Sequence, residues 1–116
     1  MRKTVTGLRA WMVQRLSAVY MLLFILFSLI HFAVDPPHSY RAWHGWMMRS
    51  SVSIFSAVFF AALLAHAWVG VRDVIMDYVH SVAFRVFLLA ALGFGLTAAA
   101  MSVMRIFWMG RYATAV

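Results

Sequence analysis

The chain has 116 residues, 66% hydrophobic and 11% charged, with no cysteine and a net charge of +7. A soluble domain is nearer half apolar and a quarter charged, so the composition describes an integral membrane protein. The positive charge flanks apolar runs, where it serves anchoring in lipid rather than nucleic-acid binding. The lack of cysteine excludes disulfides, thiolate-bound iron–sulfur clusters and Cys-anchored c-type haem in this chain.

Taken in order, 1–14 is a basic leader with Arg2, Lys3, Arg9 and Trp11, read as an interfacial segment that can be helical, and Arg15 stands at the mouth of the first apolar run. The run over 16–34 is longer than the ~7–15-residue apolar core of a secretory signal and has no Ala-x-Ala site after it, so the segment is expected to be retained. Asp35-Pro36-Pro37 ends the first span, because consecutive prolines cannot continue a helix. A polar, aromatic connection with Trp43 and Trp46 follows, suited to the headgroup zone. The second span is expected over about 50–72, a short link or extra helical turn over 74–81, and the third span over about 82–109. Gly93, Gly95, Thr97 and Ala98–Ala100 give the third span a small-residue face, and Arg85 and Arg105 near its ends can snorkel. The expected fold is all-α: three transmembrane helices in one membrane-anchor domain, 1–116, with no separate soluble domain.

Arg and Lys set the orientation. With the N-terminus inside, Arg2, Lys3, Arg9, Arg15, Arg72 and Arg85 are inner, and Arg41, Arg49, Arg105 and Arg111 are outer. The bias is concentrated at the first helix, so a cytoplasmic N-terminus and a periplasmic C-terminus are expected.

The chemistry-bearing stretch is 65–79, AHAWVGVRDVIMDYV. His66 lies inside an apolar run, where an ionisable side chain is a functional candidate. On a helix of about 100° per residue, His66, Gly70, Asp73 and Asp77 share a stripe roughly 60° wide. His66 reads either as a packing histidine bonded to a neighbouring helix or as an axial haem ligand or proton relay. Asp77-Tyr78 reads either as a solvated interfacial turn or as a hydrogen-bonding pair for a polar headgroup entering from lipid. Arg15 is an anchor or a counter-charge. His31, His38, His44 and His80 are weaker candidates, and no histidine pair has the spacing of an intrahelical metal site. A lone ligating His therefore needs its second ligand from another chain.

His66, Trp68, Gly70, Asp77 and Tyr78, in H-A-W-V-G-V-x-D-V-x-x-D-Y-V, carry a resemblance to the smaller hydrophobic anchor subunit of bacterial succinate dehydrogenase, respiratory complex II. The length, the three spans and an Arg followed by small residues opening the first span agree with it. The resemblance implies that His66 is one axial ligand of haem b, the other coming from the larger cytochrome b anchor subunit. It implies that Tyr78 hydrogen-bonds ubiquinone, that Asp77 belongs to the surround of that site, and that Arg15 lies near the haem propionates. The implied partners are the larger anchor, the iron–sulfur subunit and the flavoprotein subunit, in the bacterial inner membrane. Succinate oxidation and the iron–sulfur clusters would reside in those other subunits, as the cysteine count allows. Val79-His80-Ser81 departs from the family pattern, which has a basic residue and a proline there. Two other classes fit the composition: a small proton-coupled transporter or channel subunit, and a haem-free structural anchor of the fumarate reductase type.

Overall fold

The computed structural model describes residues 2–113, with side chains for 7–112. Four helices follow one another: α1 Arg2–Val34, α2 Tyr40–Met47, α3 Ser50–Tyr78 and α4 Val82–Ala113. The side chains of Arg2 and Lys3, counted above for orientation, and residues 114–116 at the C-terminus lie outside those described.

The leader does not stand apart from the first span. Between 2 and 34 no proline interrupts the backbone ladder, so leader and span form one helix. Its stretch apolar enough to cross a membrane is Gly7–Val34, 28 residues. At 1.5 Å per residue that is about 42 Å, longer than a hydrocarbon core of about 30 Å. Part of it, including Arg9 and Arg15, therefore extends into the interface. Of the two readings of 74–81, the extra helical turn holds for 74–78. Val74, Ile75 and Met76 offer no break, so α3 runs unbroken to Tyr78 and only 79–81 connect it to α4.

The aromatic connection contains a short helix. Ser39 has extended backbone and its hydroxyl accepts from the Ala42 N–H, capping the first turn of α2. Trp46 of α2 stacks on His31 at the end of α1, with ring centroids 4.6 Å apart, and meets Phe32 edge-on. This binds the α1–α2 turn into one aromatic cluster at the membrane boundary. His31 is thereby accounted for as a stacking residue.

α3 is the central helix, with α1 packed antiparallel along one side and α4 along another; among the described residues α1 and α4 do not meet. Between α1 and α3, Phe24 stacks on Phe59 at 4.7 Å and the Tyr20 hydroxyl donates to the Phe55 carbonyl at 2.7 Å. Between α3 and α4, Trp68 packs over Gly93, where a Cβ would meet its ring at 3.8 Å, an ordinary contact distance. The residues buried at the crossings are mostly serines: Ser17, Ser53 and Ser56, with Ile75 the one buried apolar side chain among the described residues. Small side chains let helix backbones approach, as expected in lipid, where apolar burial alone brings no gain.

The chain alone has almost no core. Its accessible surface is 9091 Å², against about 6,400 Å² for a globular monomer of this mass. Large apolar side chains stand exposed along all three long helices. That surface needs lipid or other subunits to cover it.

Candidate functional site

Two polar regions stand out, one across the α1–α3 pair and one at the end of α3. In the first, His66 is half-buried on α3 at the level of Gln14 and Ser17 of α1, which flank Arg15 one residue before and two residues after it. The Ser17 hydroxyl lies 3.1 Å from His66 Nδ1 and also 3.1 Å from the Gln14 carbonyl oxygen. The Gln14 amide nitrogen lies 3.4 Å from His66 Nε2. A Cβ on Gly70 would stand 3.2 Å from that same amide nitrogen, so Gln14 occupies the room that Gly70 leaves bare. The other end of the amide, Gln14 Oε1, is buried without a hydrogen-bond partner. A buried amide oxygen with nothing to accept from is a poorly satisfied group.

The helical stripe predicted from spacing is half realised. His66 and Gly70 both face α1. Asp73 instead stands exposed in an ion pair with its neighbour Arg72, at 3.3 Å, and Asp77 is exposed. Arg72-Asp73 is thus the solvated end of a helix, in which such pairs contribute little.

The second region is the end of α3. Asp77 and Tyr78 occupy its last turn, and Tyr78 is 79% exposed. The two side chains leave the helix about 100° apart, and among the described residues neither makes a hydrogen bond. Asp77 does not hold the phenol; the pair presents two separate polar groups outward. What holds the turn is Arg85. Its Nε and Nη2 donate to the Val79 carbonyl at 3.0 and 2.7 Å, and Nη2 reaches the Met76 carbonyl at 3.3 Å. The sequence marked Arg85 as a snorkelling side chain; folded, it caps orphan carbonyls at the C-terminus of α3, where a cation also complements the helix dipole. The Val79 N–H closes the same turn on the Ile75 carbonyl at 3.0 Å.

With α3 unbroken, Asp77-Tyr78 lies about 17–18 Å along the axis from His66. The structure therefore keeps the two regions apart. Arg15 is exposed, with its guanidinium 5.7 Å from the Trp11 ring centroid. His38 and Arg41 line a cleft at the opposite end of the bundle with Asp35 and Arg49. His80 lies in the 79–81 connection. Among the described residues no three His, Cys, Asp or Glu side chains converge to hold a metal ion. A metal at His66 would take one ligand from this chain.

Sequence reasoning passed over Gln14 and Ser17. Their signal was two polar side chains three residues apart, one face of a helix, at the start of an apolar run. What the sequence could not give was the register that sets this pair opposite His66, 49 and 52 residues away.

A relative named succinate dehydrogenase hydrophobic membrane anchor subunit, from Coxiella burnetii (strain RSA 493 / Nine Mile phase I), is 33% identical over 73 residues, covering 63% of this chain and 64% of the relative. The aligned region thus spans a little under two thirds of that protein's length. Residues 2–104 match the model of the succinate dehydrogenase/fumarate reductase transmembrane subunits, which takes in α1, α2, α3 and most of α4. The chain is a multi-pass membrane protein that belongs to the succinate dehydrogenase/fumarate reductase transmembrane subunit family.

Proposed function

We propose that this chain is the smaller anchor subunit of a succinate:ubiquinone oxidoreductase, supplying one axial ligand to a haem b and part of a quinone site. The observation that carries the reading is His66: an imidazole within a membrane span, held by Ser17 on one nitrogen and touched on the other only by a loosely bonded amide. A haem iron taking one imidazole here needs the second from the larger anchor. The exposed faces of α1, α3 and α4 offer such a subunit a seat. Arg15, exposed one residue from Gln14, would meet a propionate. Bound, the haem would supply a one-electron centre between the two anchor subunits.

The residues present fit half of such a site. The donor is an imidazole, Gly70 leaves space beside it, and the side chain in that space is a Gln whose amide is incompletely bonded. At the end of α3, the Tyr78 phenol would donate to a carbonyl of ubiquinone arriving from lipid, and Asp77 would lie in the polar surround. Iron–sulfur and flavoprotein subunits would dock on that side, which the Arg and Lys bias favours as the cytoplasmic one, in the inner membrane of a bacterium. A reporter inserted in the 79–81 connection should read as cytoplasmic; a periplasmic reading would remove the quinone site from the side where those subunits act.

A haem-free anchor is the second reading. One observation favours it: both ring nitrogens of His66 already have partners in this chain. The test is a reduced-minus-oxidised absorption spectrum of the purified complex. A low-spin b-type signal is expected, lost or altered in His66→Leu and retained in His31→Leu. An unchanged signal in His66→Leu, or a colourless parent complex, rejects the haem assignment.

A further inference from the structure

Two side chains of α1 close around His66, and they differ in how firmly they are held. Ser17 is 8% exposed, and its hydroxyl sits 3.1 Å from the Gln14 carbonyl as well as 3.1 Å from His66 Nδ1. A hydroxyl has one proton and two lone pairs. Donating to the carbonyl leaves it an acceptor toward Nδ1–H. The Gln14 amide nitrogen is a donor only, so at Nε2 it requires a lone pair. Both contacts select the same tautomer, with the proton on Nδ1 and the lone pair on Nε2. The Gln14 contact is long, 3.4 Å, and its amide oxygen has no partner. Ser17 is the fixed neighbour and Gln14 the loose one.

We infer that Ser17 is a positioning residue that fixes the orientation and tautomer of His66, and that Gln14 is a displaceable cap over the nitrogen left free. This rests on the reading of His66 as a haem ligand. A ligating imidazole is held by a hydrogen bond at its other nitrogen, which orients the ring and raises its basicity. Here that bond comes from a hydroxyl of the adjacent helix within the same chain. Gln14 keeps Nε2 from being a bare acceptor in lipid, and the bare backbone of Gly70 lets the amide lie there.

The experiment uses the assembled complex with Ser17→Ala, Ser17→Thr, Ser17→Val and Gln14→Leu. Haem per flavin, the low-spin spectrum, the midpoint potential and the rate of haem transfer to excess apo-globin are measured. Ser17→Ala should release haem about 10- to 100-fold faster, the usual effect of removing a ligand's hydrogen-bond partner. Its potential should move upward, because a less basic imidazole favours ferric iron less. Ser17→Thr should stay near the parent, and Gln14→Leu should release haem no faster. If Ser17→Ala does not assemble, Thr and Val decide the matter, since they differ by a hydroxyl for a methyl; equal behaviour of the two overturns the inference. So does parent-like behaviour of Ser17→Ala, or equal loss in Ser17→Ala and Gln14→Leu, which would mark a packing contact of α1 on α3. Failure of the haem reading itself is separate: there His66→Leu keeps the signal.

Discussion

Replacing Arg85 tests whether one side chain holds the turn that presents Asp77 and Tyr78. In Arg85→Leu the Met76 and Val79 carbonyls lose three N–H contacts, two of them part-buried and one exposed. Hydrogen bonds to a charged group contribute about 1.5–3 kcal/mol each. These three converge on two acceptors and share one guanidinium, and solvent screens the outermost, so the net loss is set at about 2 kcal/mol. That free energy works locally. It stabilises the last turn of α3 against fraying and leaves the packing of Phe24 on Phe59 and of Trp68 on Gly93 untouched. At 1.36 kcal/mol per factor of ten, the open population of the turn should rise about 30-fold. Hydrogen exchange followed by mass spectrometry on a peptide covering 74–81 reads this directly, through the Val79 amide bonded to Ile75. Peptides from the middle of α3 serve as the internal reference. Arg85→Lys should recover part of the protection, since an ammonium can reach one carbonyl but lacks the fork that reaches two. Unchanged protection over 74–81 in Arg85→Leu would refute the reasoning and return Arg85 to the role of an interfacial anchor.

Ser56 is 1% exposed and its hydroxyl is buried without a partner. Ser56→Ala should therefore be neutral or raise stability by up to about 1 kcal/mol, read as the thermal midpoint of the purified complex; a clear drop would show that the hydroxyl is bonded there. Tyr78→Phe removes one donor at the proposed quinone site and nothing from the helix. It should leave haem and succinate oxidation by an artificial acceptor intact while lowering quinone reduction by about 10- to 1,000-fold. A parent-like ratio of the two activities, with Asp77→Leu also normal, would leave the pair an interfacial turn.

How much was legible in the sequence follows from what each feature depends on. The three apolar helices were, because span length and apolar runs are local properties and the bilayer imposes both. The end of the first span at Asp35-Pro36-Pro37 was, because proline acts on its own backbone. The boundaries inside the polar regions were not. Helix through the basic leader and through 74–78 was one of two open readings, and changing polarity, which marks only the membrane surface, could not choose between them. The eight-residue α2 depends on one capping serine and on Trp46 finding His31, a contact between elements. The stripe of His66, Gly70, Asp73 and Asp77 was sound as helical geometry, yet a stripe does not say what stands opposite each member. Only His66 and Gly70 meet α1 side chains; Asp73 turns to Arg72.

The same distinction explains why the polar chemistry sits where it does. α3 touches both other long helices, so a polar group on it can be satisfied from within the chain, while one on the outer faces of α1 or α4 meets lipid or a partner. His66 meets Gln14 and Ser17 of α1, on either side of Arg15. Asp77 and Tyr78 are satisfied by nothing in this chain, and they stand beyond the last turn of apolar side chains, held by Arg85 through backbone alone. The His66 region is thus built by packing two helices of this chain, and the Asp77-Tyr78 region is only presented by it. The half of the proposed haem site that this chain holds should depend on Ser17, and its other half on the larger anchor. The second region should depend on surfaces contributed by partners, because an exposed phenol on a capped helix end has orientation but no walls.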